Sequence, residues 1–359
     1  MPLQRQRSVV MKSSVLMVDK TAQTLTLKDG RKLGFAEYGD PAGEPVFWFH
    51  GFPDSRLEAA FADEAAREMG LRILAFDRPG YGLSDWKPRR RILDWPETMG
   101  EAAAHFGYER VGVIGLSGGG PYAAAVAFKR PELCTTVAIV SGLGPVDVDE
   151  SAKGMNGLGR VIWRSYRWFP WNAWIGMFFT GFFLKRMPDW AMRLNLRRLP
   201  EADRKILEDD PALREHFRQV VGEAFRQGTR GTAHDLILYG SPWGFRVREI
   251  KAPVDVWQGD ADTLVPMSMG EYYAKEIAGA TAHFYAGEGH FLVVPRIREV
   301  LEVVRGQDRS TDRTDSADGK APPSPTYPLL RMALSMSGEG IDEAYFGPAP
   351  ATLRRTNRD

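Results

Sequence analysis

The amino-acid sequence predicts an α/β fold: a mostly parallel central sheet flanked by helices, with a helical cap inserted into it. Short strand-like runs alternate with helical stretches along much of the chain, which is typical of parallel sheets covered on both faces. Several of these runs are apolar throughout, as expected for strands buried on both faces. The insertion is predicted because one long stretch, 145–245, has helical patterns and lacks strand patterns.

The predicted sheet begins with a hairpin and continues with four buried strands. Residues 23–28 and 31–38 flank the dipeptide Asp29-Gly30, which favours a two-residue turn. The buried strands are predicted at 45–51, 71–77, 110–117 and 135–143. The helices between them are predicted from Ser55, as the N-cap, to Met69, then over 93–106 and 119–130.

Two more strands follow the insertion, and the chain ends in a polar stretch. The strands are predicted at 252–260 and 280–287, each followed by a helical stretch. Residues 306–328 contain mostly Ser, Thr, Gly, Pro and charged side chains, with almost nothing to bury, which predicts disorder. We therefore expect a flexible N-terminal extension (1–20), an α/β core (21–144 and 246–305), a helical cap (145–245) and a disordered C-terminal tail (306–359).

Charge and cysteine content exclude several classes of function. Lys and Arg number 47 and Asp and Glu 46, so a net charge of +1 gives no reason to expect a nucleic-acid partner. The one cysteine, Cys134, cannot form an intrachain disulfide or a cysteine metal cluster, and we expect neither a metal nor another cofactor. Residues 1–20 lack the unbroken apolar run of a secretory signal, which favours a cytoplasmic protein.

The strongest chemical signal is a serine flanked by glycines, Ser117 in the run GLSGG (115–119). It lies where a predicted buried strand ends and a helix begins, the setting of a nucleophile elbow. A serine on such a strained turn projects its hydroxyl outward, and nearby glycines prevent steric collision. The start of the following helix also directs its dipole at a developing negative charge.

A serine hydroxyl is a poor nucleophile and needs a base that a third group orients. Of the six histidines, His50 and His290 follow buried strands, at the edge where open α/β sheets place their sites. His290 also follows the serine in the chain and is the predicted base. The remaining histidines are predicted in helices or inside a strand: His105, His216, His234 and His283.

The carboxylate that orients the base is expected after the strand that precedes the histidine strand. Asp260 and Asp262 both lie there, in GDADTLVP (259–266). We favour Asp262 and expect Asp260 to bond loop amides. Asp147 and Asp149, one strand further back, are the alternative position.

These motifs together resemble the α/β-hydrolase superfamily, in its serine-nucleophile, cap-bearing, esterase- or lipase-like branch. In chain order they are HGFPDSR (50–56), DRPGYGLSD (77–85), GLSGGGPYA (115–123), GDADTLVP (259–266) and GEGHF (287–291). The resemblance covers about 22–304 and implies that Ser117 is the nucleophile, His290 the base and Asp262 its orienting carboxylate.

The resemblance also implies an oxyanion hole formed by the backbone N–H groups of Phe52 and Gly118. It implies that His50 orients its own loop rather than titrating, and that the segment 77–82 is a packed turn. The nucleophile is a serine and not an aspartate, which disfavours epoxide hydrolases and haloalkane dehalogenases.

Half of the ten tryptophans fall in residues 161–190, and the run 168–184 has no charged residue. The flanking cations are Arg164, Arg167, Lys185 and Arg186. Two interpretations remain open: a cap helix pair folded over the site, or a lid whose apolar face contacts a membrane or lipid surface. A spanning helix is disfavoured, because Pro170 and Asn172 interrupt a run shorter than the ~20 residues a span needs.

The sequence thus favours a serine hydrolase that cleaves an uncharged, hydrophobic carboxylic ester through an acyl-enzyme. The same triad could serve an aminopeptidase, a C–C hydrolase or a perhydrolase, and a catalytically idle binding module is the alternative from another class. An aminopeptidase needs acids near the substrate ammonium, but the spacing of the cap acids predicts a solvated helix face. These acids are Glu201, Asp203, Glu208, Asp209, Asp210 and Glu215. The oligomeric state stays open.

Overall fold

A computed structural model describes residues 19–186 and 199–305, and the described strands form one sheet. They are β1 (Gln23–Thr26), β2 (Lys32–Gly39), β3 (Glu44–Phe49), β4 (Leu71–Phe76), β5 (Val111–Leu116), β6 (Cys134–Val140), β7 (Val254–Gly259) and β8 (Thr281–Tyr285). Their order in the sheet is β1-β2-β4-β3-β5-β6-β7-β8. Strand β2 pairs antiparallel with both β1 and β4. All the other pairings in the sheet are parallel.

Helices connect the strands, and six described helices lie between β6 and β7. The helices are α1 (Asp63–Glu68), α2 (Trp95–Phe106), α3 (Gly120–Lys129), α4 (Asp149–Ala152), α5 (Gly157–Ser165), α6 (Pro170–Arg186), α7 (Glu201–Asp209), α8 (Pro211–Ala224), α9 (Arg230–Tyr239), α10 (Met267–Glu276) and α11 (Ile297–Val304). The predicted α/β class, with a mostly parallel sheet flanked by helices, is confirmed. The proposed N-terminal extension lies almost wholly, and the C-terminal tail wholly, outside the described residues.

Both faces of the sheet are buried, as the apolar strands predict. In β3, Phe47 and Phe49 belong to one core cluster while Val46 and Trp48 belong to the other, and all four are fully buried. Helices α2, α3 and α10 cover the first face, and α1 and α11 cover the second. The carboxyl ends of the parallel strands therefore meet at one edge, where the connecting loops are held by a rigid scaffold.

The predicted helix cap at Ser55 is wrong. The chain from Arg56 to Ala62 is a 3₁₀ helix that leads into α1, and Ser55 makes no side-chain cap bond. Its hydroxyl instead donates to the carbonyl of Val220 in α8, at 2.9 Å. A residue type that commonly caps helices is used here to attach the cap to the core.

A buried carboxylate, Asp235 of α9, joins the cap to the core. It accepts hydrogen bonds from two arginines and three tyrosines: Arg78, Arg90, Tyr81, Tyr122 and Tyr239. Burial alone would raise the pKa of Asp235, but the charges of Arg90 and Arg78 outweigh it and hold that pKa well below its usual range. Because these partners come from three separate core segments and from α9 itself, one side chain fixes α9 over the sheet.

Helix α6 is exposed along most of its surface. Ala173 and Met177 are buried in a cluster with Phe225 of the cap, on one side of the helix. Among the described residues, eleven of the twelve large apolar side chains that are exposed lie within 158–183. The helix is therefore half-buried, and both interpretations of the aromatic stretch stay open.

We predict that Asp235→Ala lowers the free energy of unfolding by about 3–5 kcal/mol, because it leaves Arg78 and Arg90 buried without a counter-ion. Urea denaturation followed by tryptophan fluorescence measures this change. The matched control is Asp149→Ala, which breaks an exposed pair with Arg164 and should leave stability nearly unchanged. Equal stability losses in the two variants would contradict the structural role of Asp235.

Candidate active site

Ser117 lies directly after β5 in a strained turn. Its φ is +51°, in the left-handed region that non-glycine residues seldom adopt. The neighbouring glycines are required by space: a Cβ at Gly119 would lie 2.0 Å from the carbonyl oxygen of Phe49, and one at Gly115 would lie 2.8 Å from that of Gly119. The strand, turn and helix thus form the elbow that the glycine pattern predicts, and strain of this kind is typical of functional positions.

The structure brings the three predicted catalytic side chains together. His290 Nε2 lies 3.0 Å from Ser117 Oγ, and His290 Nδ1 lies 2.8 Å from Asp262 Oδ2. These distances are within hydrogen-bonding range for a nucleophile, a base and its orienting group. The three residues come from the ends of β5 and β7 and from the loop after β8, so the parallel sheet determines their proximity.

Asp262 is held rigidly by its own loop. Its Oδ1 accepts the backbone N–H groups of Leu264 and Val265, each at 2.8 Å, and its Oδ2 also accepts from Gln258 Nε2 at 3.0 Å. The neighbouring carboxylate, Asp260, points elsewhere and accepts the N–H of Gly287 at 2.7 Å. Of the two loop carboxylates, Asp260 therefore binds a loop amide and Asp262 contacts His290.

Asp203, which the sequence pattern placed on a solvated helix face, instead binds the loop that carries His290. Asp203 of α7 is buried, and its two oxygens accept the backbone N–H groups of His290 (2.9 Å) and Phe291 (2.8 Å). The predicted solvated face is therefore wrong at this position. Gly289 is required beside it, since a Cβ there would lie 2.3 Å from the Asp203 carboxyl.

The carboxylates around His290 favour its protonated form. Burial lowers the pKa of His290, but the charges of Asp262, Asp203 and Asp54 outweigh burial and raise it above the ordinary 6.5. A histidine in this setting accepts a proton readily, and the imidazolium that forms is stabilised where it stands.

Phe52 and Gly118, the predicted oxyanion residues, lie side by side. A Cβ at Gly118 would be 2.7 Å from Phe52 Cβ and 3.3 Å from Phe52 N. Gly118 is in the first turn after the strand, where helical N–H groups have no partner within the helix. Tyr239 donates its hydroxyl to the Gly118 carbonyl at 2.8 Å, and this bond fixes the peptide plane.

His50 is buried and neutral. Burial, and then the charge of Arg78, hold the pKa of His50 well below its usual value. Its Nδ1 lies 2.8 Å from the Gly51 carbonyl oxygen, and its Nε2 accepts the backbone N–H of Arg78 at 3.3 Å. The Arg78 side chain also donates to the carbonyls of His50 and Gly51. This histidine therefore shapes the loop that carries Phe52.

A cavity of about 90 Å³ opens at Ser117 and His290. Helices α7 and α8 cover it through Leu207, Leu213, His216, Phe217 and Val220. Most other lining residues are apolar, but Asp54 and Glu58 also border it. The cover over the site is thus made by α7 and α8, and none of the described side chains of α6 lines this cavity.

The sequence profile of the α/β hydrolase fold family matches residues 44–296, which is most of this chain. The chain belongs to the α/β-hydrolase family. A hydrolase of Bacillus subtilis, YcgS, is 26% identical over 76% of this chain and 93% of its own length. A poly(3-hydroxyalkanoate) depolymerase of Ectopseudomonas oleovorans is 25% identical over 74% of this chain and 84% of its own.

The fold of this α/β hydrolase is shared with solved structures. An α/β hydrolase fold protein from Nakamurella multipartita superposes with a TM-score of 0.58 at 19% identity, over 79% of this chain and 99% of that one. The predicted family and the prediction of an enzyme are confirmed. Within the described ranges, no helix has the length and apolar character needed to cross a membrane.

We predict that His290 of this hydrolase titrates with a pKa above 6.5, because the surrounding carboxylates stabilise its imidazolium. NMR detection of the ring protons across a pH series measures the pKa without any substrate. Asp262→Asn removes the charge that raises this pKa most and should shift it downward. Asp149→Asn, an exposed site, is the control and should leave it unchanged. A native pKa at or below 6.5 would contradict the electrostatic description.

Proposed function

We propose that this α/β hydrolase is a serine esterase that cleaves an uncharged, largely apolar carboxylic ester through an acyl-enzyme. The observation that carries the proposal is the continuous pair of hydrogen bonds from Ser117 through His290 to Asp262. The strained backbone of Ser117 supports it, since that strain exposes the hydroxyl to the cavity. The name of the Ectopseudomonas relative, a depolymerase, is consistent with hydrolysis.

In the proposed reaction, His290 takes the proton of Ser117 as its oxygen attacks the ester carbonyl carbon. The carbonyl oxygen becomes an oxyanion, which accepts hydrogen bonds from the N–H groups of Phe52 and Gly118. His290 then protonates the leaving alcohol as the carbon–oxygen bond breaks. Water, deprotonated by His290, attacks the acyl-enzyme, and the carboxylic acid leaves as Ser117 regains its proton.

The surroundings of the triad favour an ester over a peptide with a free amino terminus. The buried cap acid nearest the histidine loop, Asp203, already uses both oxygens for backbone N–H groups. Glu201 is exposed and pairs with Lys205, and Asp210 caps α8 through the N–H of Leu213. These cap acids are engaged elsewhere, which disfavours the aminopeptidase alternative.

We predict that Ser117→Ala lowers kcat/KM for p-nitrophenyl butanoate at least about ten-thousand-fold, because the nucleophile is lost while the binding site stays. Its melting temperature should match or exceed that of the native chain, since alanine makes no new contact in the elbow. The native protein should also react covalently with a fluorophosphonate at Ser117, found by peptide mass spectrometry. Near-native turnover in the variant would refute the proposal, and an unlabelled Ser117 would favour an idle binding module.

We propose further that the exposed aromatic surface of α5 and α6, residues 158–183, contacts an anionic lipid surface. Its aromatic and aliphatic side chains include Trp168, Trp171 and Phe183, each more than half exposed. The stretch 160–186 carries five Lys and Arg residues and no Asp or Glu. An apolar face with a cationic border matches the requirements of an interfacial helix.

We predict that the protein co-sediments with vesicles containing phosphatidylglycerol and that the double change Phe178→Ser/Phe179→Ser abolishes this association. Both side chains are more than half exposed, so the change should not unfold the protein. Leu264→Ser is the matched control, because Leu264 is equally exposed but lies outside the surface. Absence of vesicle binding by the native protein at low salt would retire the lipid proposal.

A further inference from the structure

A second polar cluster borders the cavity that contains Ser117. It consists of Asp54, Glu58 and His216, which line the cavity together with the catalytic serine. The point where a Cβ of Gly51 would lie is 2.5 Å from Asp54 Oδ2 and 3.5 Å from Ser117 Cβ. The cluster is therefore close to the nucleophile. Asp54 contributes its charge to the environment of His290, but the reaction described above assigns the cluster no contact with the substrate.

Asp54 and Glu58 form a hydrogen-bonded carboxyl pair. Glu58 also accepts from Trp48 Nε1 at 2.7 Å and from the N–H of Gly51 at 2.9 Å. Burial, and then the charge of Asp54, raise the pKa of Glu58 well above its usual value. Two buried carboxyl groups this close do not both ionise readily, so the pair shares one proton and carries one negative charge.

One oxygen of this carboxyl pair is without a partner. Asp54 is 7% exposed, and no hydrogen bond reaches its Oδ1 from the described residues. Glu58 occupies the other side of the carboxylate. Buried polar atoms without partners are rare in native proteins, because a lost hydrogen bond to water is not replaced. A free carboxylate oxygen at the edge of a substrate cavity points to a hydrogen-bond donor on the substrate.

His216 of α8 adds a second polar atom to the same space. Its ring is hydrogen-bonded to the backbone at Leu57 and Glu58, while its Nε2 has no partner among the described residues. Burial lowers the pKa of His216, so the ring is neutral. Asp54 and His216 both line the cavity, and each has one polar atom that an entirely apolar acyl group would leave unpaired.

We infer that this cluster is a subsite for a hydroxyl group on the acyl chain of the substrate, with Asp54 Oδ1 as the acceptor and His216 as the second polar wall. The inference rests on the proposed esterase function. The acyl group is the part that fits, because it stays bonded to Ser117 while the alcohol leaves. A cavity of about 90 Å³ suits a short acyl chain.

An ammonium group is the competing occupant, and the site disfavours it. His290 faces the same cavity and becomes a cation during the reaction, so a second cation there would oppose the step. A hydroxyl satisfies the carboxylate without adding charge, and its hydrogen bond to an ionised acceptor is a strong one.

The test compares p-nitrophenyl 3-hydroxybutanoate, p-nitrophenyl butanoate and p-nitrophenyl 3-aminobutanoate on the native protein. We expect kcat/KM for the hydroxy ester to exceed that for butanoate on the order of tenfold, because a site built for a hydroxyl rejects the analogue that lacks it. A ratio at or below one overturns the inference, and so does a preference for the amino ester.

Two variants locate the effect. Asp54→Leu removes the acceptor at similar volume and should bring the ratio of hydroxy ester to butanoate close to one. His216→Phe keeps an aromatic ring at this position and should lower the ratio of hydroxy ester to butanoate in part. If Asp54→Leu does not fold, this second variant tests the subsite. An unchanged ratio in the folded variants overturns the inference.

The two proposals fail in different ways. Fluorophosphonate labelling of Ser117 together with hydrolysis of butanoate, but no preference for the hydroxy ester, overturns only the hydroxyl subsite. Absence of labelling and of hydrolysis of all three esters overturns the esterase function, and the subsite with it.

Discussion

The fully buried carboxylate of Asp235 is the interaction on which the arrangement of cap and site depends. It neutralises Arg78, which in turn donates to the carbonyls of His50 and Gly51. Through Tyr239 the same carboxylate is connected to the carbonyl of Gly118. Both peptide segments of the proposed oxyanion hole are thus connected to one carboxylate of α9, so the helices between β6 and β7 help to hold the candidate site in place.

The sequence was sufficient to predict the sheet and the contact of Ser117, His290 and Asp262, because both follow from short local patterns. Apolar runs specify strands buried on both faces, and the glycines beside Ser117 are required by contacts that a Cβ would prevent. Since parallel strands place their carboxyl ends together, chain order alone brought His290 and Asp262 to the serine. The strand and glycine patterns can be recognised without knowing how the cap folds.

The roles of cap residues could not be predicted from the sequence, because they depend on long-range packing. Asp203 has the spacing of a solvated face, but α7 turns it inward to the histidine loop. Asp235 lies in a helical stretch without a distinctive pattern, and all its partners except Tyr239 are more than a hundred residues away. Ser55 resembles a helix cap and instead bonds α8. In each case a polar side chain found a distant partner that no local pattern encodes.

The aromatic stretch lies in α6, whereas the cavity at Ser117 is lined by α7 and α8. The apolar character of the stretch therefore does not determine the polarity of the cavity. Helix α8 covers the cavity together with α7, and it is fastened to the core at positions that follow His216. Ser55 donates to the Val220 carbonyl, and Glu223 pairs with Arg56 at 2.7 Å. In the proposed hydroxyl subsite, His216 is therefore carried by an anchored helix, which favours selective recognition. The buried side of α6 packs against Phe225 and α9, so the proposed lipid contact involves only the exposed side of this helix.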